Sequence, residues 1–175
     1  MATGRILWVL RHAKTVRKPP VGGDDHERTL APRGRRDADA LGERLGDHGD
    51  RLGLAADLMP RLVLCSTAAR TVETTERVLA RLAAPPPVTY LESLYGASPE
   101  EVLEAVSMVD DDIASVMVVG HNPTFEALVA VMPRAPAHMG GFVTCGLAVF
   151  NLPLRRWDEV APRIGAVLGV FLPPF

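Results

Sequence analysis

The chain has 175 residues, 47% of them apolar and 23% charged, enough core-forming sequence for one folded domain and too little for a multi-domain machine or a disordered chain. Nineteen basic against twenty-one acidic side chains leave a net charge of −2, so no broad cationic field exists for nucleic acid or anionic lipid, and any anion must be held locally. The two cysteines, Cys65 and Cys145, form neither a disulfide scaffold nor a C-x-x-C pair. Reduced thiols and a cytoplasmic location are therefore expected, and the apolar stretch at 6–10 is too short for a signal segment or a membrane span.

Residues 6–10 form the first strand-length apolar run. A loop rich in proline and glycine follows at 18–25, and 33–45 then carries Ala38, Leu41 and Leu45 at helical spacing. A second strand is predicted at 62–65 and a second helix at 67–82, with Val72, Leu79 and Leu82 on one face. After a triple-proline break, 88–91 reads as a third strand, and Ser98-Pro99-Glu100-Glu101 opens a helix as a capping box with proline in its first position. The fourth strand is 115–119, and Asn122-Pro123 starts a helix that carries Phe125, Leu128, Val129 and Met132. Beyond a break at 133–141 lies a fifth strand, 146–152, and the apolar tail at 164–171 is expected to pack against the sheet. Most of these runs are continuous rather than alternating, as in strands covered on both faces. The alternation of strand and helix predicts a three-layer α/β/α sandwich over residues 1–175, with a mostly parallel sheet and one edge strand antiparallel.

Three strand ends carry chemistry. The first runs into Arg11-His12, the second into Ser66 and a helix bearing Arg70, and the fourth into His121-Asn122. Ligands of open α/β sheets lie beyond the carboxyl ends of the strands, so the three junctions are expected to converge. Two arginines supply planar forks for phosphoryl oxygens. Two histidines supply a neutral nucleophile and a cationic donor. Helix starts near Ser66 and Asn122 add N–H groups that attract anions. No metal or cofactor is needed for such a site. An arginine in the first turn of a helix opposes the helix dipole, so Arg70 calls for an anion beside it.

These residues carry a resemblance. Leu10-Arg11-His12-Ala13-Lys14 resembles the Arg-His-Gly/Ala motif of the histidine phosphatase superfamily, the phosphoglycerate-mutase-like clan. The segment from Cys65 to Thr71, with Thr74-Thr75 beyond it, resembles the second motif, and Val119-Gly120-His121-Asn122-Pro123 the second histidine motif. Asp25-His26-Glu27-Arg28-Thr29-Leu30 followed by Gly34 is similar to the short bacterial phosphohistidine phosphatase branch. The resemblance implies that His12 takes the phosphoryl group, that Arg11, Arg70 and His121 bind its oxygens, and that Glu92, after the third strand, is the general acid. It also implies a phosphorylated protein or small phosphorylated substrate, with no nucleic-acid or membrane partner; it sets no oligomeric state. Ala31 departs from the branch, where a threonine cap precedes the proline.

Other readings stand beside this one. The same chemistry serves a small phosphate ester, and a non-catalytic phosphate-binding module would keep the same anion site. Cys65-x4-Arg70 is one residue short of the cysteine-phosphatase loop, and Cys65 and Cys145 read as core. His26, His48 and His138 read as loop or helix-surface residues, and Lys14, Arg17 and Lys18 as a solvated loop or a basic rim.

Overall fold

A computed structural model describes residues 4–46, 53–135 and 141–175; His48 and His138 lie outside the described residues. Six strands, β1 (Arg5–Arg11), β2 (Leu62–Ser66), β3 (Val88–Leu91), β4 (Ser115–Gly120), β5 (Leu147–Leu152) and β6 (Ala166–Phe171), form one sheet in the order β3-β2-β4-β1-β5-β6. Among the described residues four helices accompany it: α1 (Pro32–Gly46), α2 (Ala69–Leu79), α3 (Pro99–Ser107) and α4 (Thr124–Val131).

Both faces of the sheet are covered, which is why its strands read as unbroken apolar runs. Along β1, Leu7 and Val9 pack in one cluster with Val102 and Val106 of α3 and Phe125 and Leu128 of α4. Their neighbours Ile6, Trp8 and Leu10 point the other way, into a cluster with Ala38, Leu41 and Leu45 of α1 and Val78 of α2. Alternation with period two thus serves two cores at once.

The parallel part is β3-β2-β4-β1. Here the expectation needs correction, because the antiparallel strand β5 is interior and pairs with β1 on one side and β6 on the other. The tail packs with the sheet, as expected, but by joining it. It extends it as an edge strand, since Val167 and Val170 are β-branched and the free edge of β5 offers unpaired backbone groups.

Helix α1 starts at Pro32 although Ala31 cannot cap it. Tertiary bonds instead hold the chain that enters the helix: the Ala31 N–H donates to the Lys14 carbonyl at 2.8 Å and the Leu30 N–H to the Glu73 carboxylate at 2.8 Å. The same contact requires Gly34, because any Cβ there would collide with the Lys14 backbone. The loop just beyond His12 is in this way clamped to the first turn of α1. Between α1 and α2 the pairs Arg35–Glu73 (2.5 Å) and Arg77–Asp39 (3.1 Å) add surface electrostatics of modest worth.

Candidate active site

β4 lies between β2 and β1, so the carboxyl ends that bear Ser66, His121 and His12 are neighbours. His12 is fixed through its backbone: its N–H donates to the Gly120 carbonyl and its own carbonyl accepts from Cys145 N–H, both at 3.0 Å. The next amide, Ala13 N–H, donates to Thr74 Oγ1 of α2 at 3.0 Å. Its ring is almost enclosed, with Nδ1 2.8 Å from the Ala13 carbonyl. A carbonyl can only accept, so Nδ1 carries the proton and the lone pair of the neutral ring sits on Nε2. Burial pushes the His12 pKa down to about 4, aided by the charges of Arg70, Arg11 and Arg28 against the pull of the Ala13 carbonyl. The ring is therefore neutral near neutrality.

The His121 ring centre lies 5.3 Å from that of His12. Arg70 Nε donates to His121 Nδ1 at 3.2 Å, which leaves the His121 proton on Nε2, 2.9 Å from Ser66 Oγ. Burial, then the nearby His12 and Arg70, take the His121 pKa down to about 3. Both rings are thus neutral, chiefly through burial with the Arg70 charge adding to it, in place of the expected pairing of one neutral and one cationic imidazole.

Arg70 is buried, at 7% exposure, and its anion is supplied by the chain itself. Nη1 donates to the Asp25 carbonyl at 2.7 Å and Nη2 to Asp25 Oδ2 at 3.0 Å. Asp25 sits on the short 3-10 turn Asp25–Glu27 and also accepts from Arg28 Nη1 at 2.8 Å and from the Tyr95 hydroxyl at 3.1 Å. Desolvation raises the Asp25 pKa, but the Arg28 hydrogen bond, the Arg70 charge and the Tyr95 hydroxyl outweigh it and hold the carboxyl below its usual range.

Arg11 joins this group through its charge and its place in the chain. Its Nη1 donates to the Phe142 carbonyl at 2.7 Å, where Asn122 Nδ2 also donates, while its Nε is buried with no partner among the described residues. Glu92 stands apart, exposed on the 3-10 turn Glu92–Leu94, and none of the described hydrogen bonds or ion pairs links it to His12, Arg70 or His121. The next residue of that segment, Tyr95, does reach the site. Cys65 is buried in the core beside Thr75, with its pKa pushed up to about 11 by burial, and Cys145 is buried as well. Among the described residues no cluster of His, Cys, Asp and Glu is placed to hold a metal ion, and no helix is long and apolar enough to cross a membrane.

Sequence reasoning gave no site role to Asp25, His26 or Tyr95, although the segment from Asp25 to Leu30 carried part of the resemblance. His26, read above as a loop residue, lies at the mouth, with Nε2 3.0 Å from Thr67 Oγ1 and its ring edge-on to Tyr95 at 4.8 Å. The signal for Asp25 was present: a first-turn arginine needs an anion, and an acidic loop was available to provide it.

No family model matches the chain. A Mycobacterium tuberculosis protein of uncharacterized function is 37% identical over 172 residues, which cover 94% of this chain and 99% of that one. A phosphohistidine phosphatase by assignment, SixA from Nakamurella multipartitia, superposes with a TM-score of 0.78 at 31% identity, covering 98% of each chain. The chain belongs to the histidine phosphatase superfamily. SixA of Agrobacterium tumefaciens, assigned in the same way, superposes at a TM-score of 0.76 with 27% identity over 97% of this chain and 99% of that one. A tungstate complex of the protein histidine phosphatase SixA, at 21% identity and a TM-score of 0.73, shares the fold. As a histidine phosphatase the chain is a hydrolase.

Proposed function

We propose that this histidine phosphatase is metal-independent, passes the phosphoryl group through His12, and acts on protein phosphohistidine. The observation that carries the reading is the hydrogen bond from His12 Nδ1 to the Ala13 carbonyl at 2.8 Å. It reserves Nε2 as the nucleophile in a ring whose burial keeps it unprotonated. Arg11 and Arg70 bind and neutralise the phosphoryl oxygens; the unpartnered Nε of Arg11 favours an oxygen acceptor there. His121 completes the anion site. Attack by His12 Nε2 on phosphorus breaks the P–N bond of the substrate, and water then attacks phospho-His12 to release inorganic phosphate. The proton that lets the imidazole leave as a neutral ring reaches its far nitrogen from Glu92 or from solvent before the P–N bond breaks, and the Glu92 turn is open to solvent.

Exposure at the mouth favours a protein-borne substrate over a small ester. The Asp25 side chain is 52% exposed and Tyr95 38%, so a histidine presented on another surface can reach Arg70 and His12. The two apolar clusters, one on each face of the sheet, favour the three-layer α/β/α description, with residues 1–175 as one domain. Cytoplasmic residence is part of this reading, because its two thiols are unpaired.

A turnover panel in the presence of EDTA tests the proposal, with phosphohistidine peptides set against sugar and glycerate phosphates. Preferred turnover of the phosphohistidine peptides is expected. Preference for a small ester would keep the chemistry and remove the substrate assignment, and binding of phosphate without turnover of any substrate would leave a phosphate-binding module.

A further inference from the structure

Phosphoryl transfer as set out above gives Asp25 no part, yet its carboxylate is bonded to the arginine that is to hold the phosphoryl group. We propose that Asp25 selects phosphohistidine over phosphate esters by accepting a hydrogen bond from the N–H on the far nitrogen of the substrate's phosphorylated imidazolium. The inference rests on His12 as the phosphoryl acceptor and names what recognises the leaving group.

Geometry leaves room for both partners. A guanidinium has five N–H donors, and the bonds to His121 Nδ1, the Asp25 carbonyl and Asp25 Oδ2 leave one hydrogen on each terminal nitrogen for phosphoryl oxygens. Asp25 holds two neighbours on Oδ2, Arg70 and Tyr95, and one on Oδ1, Arg28. A carboxylate has about four acceptor positions, so one remains, on a side chain that is half exposed. Beside it stand flat groups. The Tyr95 ring meets His26 at 4.8 Å and His121 at 5.6 Å, both edge to face, a rim suited to a planar ring.

The proton and electron count favours this substrate. Once the far ring nitrogen of phosphohistidine is protonated, the ring is cationic and the P–N bond is primed to break. His12 Nε2 forms the new P–N bond, the old P–N bond breaks, and its electron pair returns to the ring, which leaves as neutral imidazole with the far proton still in place. Asp25, kept ionised by Arg28 and Arg70, stabilises the cationic ring without giving or taking a proton. An alkyl ester departs as an alkoxide and needs a proton on the bridging oxygen, which an ionised carboxylate cannot supply.

The full chain is assayed on a peptide bearing phosphohistidine and on p-nitrophenyl phosphate, whose leaving group needs no proton. Asp25→Asn is expected to lower kcat/KM on the peptide relative to the aryl phosphate by about 10- to 100-fold, the size of one lost charge-assisted hydrogen bond. Asp25→Glu keeps the charge and should recover part of the ratio. Equal changes on the two substrates would overturn the inference and leave the phosphatase reading intact. Failure of the unaltered protein to turn over either substrate would overturn both.

Discussion

Arg70 Nε donates to Nδ1 of His121 across 3.2 Å. Two groups that would hold the same anion are bonded to each other, and that bond exists only while Nδ1 is unprotonated. A bound dianion favours a protonated His121, and a proton on Nδ1 in place of the lone pair would release the Arg70 contact.

Proton uptake should therefore accompany anion binding. Sulfate serves as the probe because it stays dianionic near neutrality. Calorimetry in buffers of different ionisation enthalpy should find uptake of protons on sulfate binding, and His121→Gln should reduce it. Sulfate binding without proton uptake would mean that His121 stays neutral in the occupied site.

Arg70→Ala removes the buried guanidinium that joins His121 to Asp25. The expected loss is about 2 to 4 kcal/mol of transition-state stabilisation, read from kcat/KM. Arg70→Lys should restore little, since a point charge cannot serve His121, Asp25 and a phosphoryl oxygen in one plane. An unchanged kcat/KM in folded Arg70→Ala would remove the residue from the site.

Much of this arrangement was legible in the sequence. Apolar runs flanked by Arg11-His12, Ser66 and His121 located three strand ends, because strands buried on both faces leave continuous runs. The interior place of β5 was not legible, since β6 exists only through pairing with it and its own pattern reads as a generic apolar tail. Asp25 escaped because its partner Arg70 lies 45 residues away. Ala31 misled on local grounds: contacts to Lys14 and Glu73 hold the chain that enters the helix although no side chain caps it.

The acid limb of kcat/KM should lie near pH 4 instead of 6.5. Activity requires neutral His12, whose pKa burial lowers from 6.5 to about 4, so turnover is lost only as pH falls through that lower value. Stability follows a different course. The unfolded chain takes up protons on both histidines below about pH 6.5 while the folded one resists down to about 4 for His12 and about 3 for His121. Their contribution is complete above about pH 6.5 and declines as pH falls toward those values. Chemical denaturation at several pH values reads this directly, and a flat stability between pH 7 and 4 would contradict it.

Cys65→Ser should keep most activity. The thiol is buried in the core with its pKa pushed up to about 11, so almost no thiolate exists near neutrality. Iodoacetamide should likewise leave turnover intact. Complete loss in a well-folded Cys65→Ser variant, together with inactivation by iodoacetamide, would favour a cysteine nucleophile.

Trapping the phosphorylated enzyme tests the central claim most directly. Rapid quenching during turnover of a phosphohistidine peptide, followed by peptide mass spectrometry in alkali, should place one acid-labile phosphoryl group on His12. The His12→Ala protein, folded as judged by circular dichroism, should carry none and turn over no substrate. Phosphate found on another residue, or turnover by folded His12→Ala at the rate of the unaltered protein, would contradict the account.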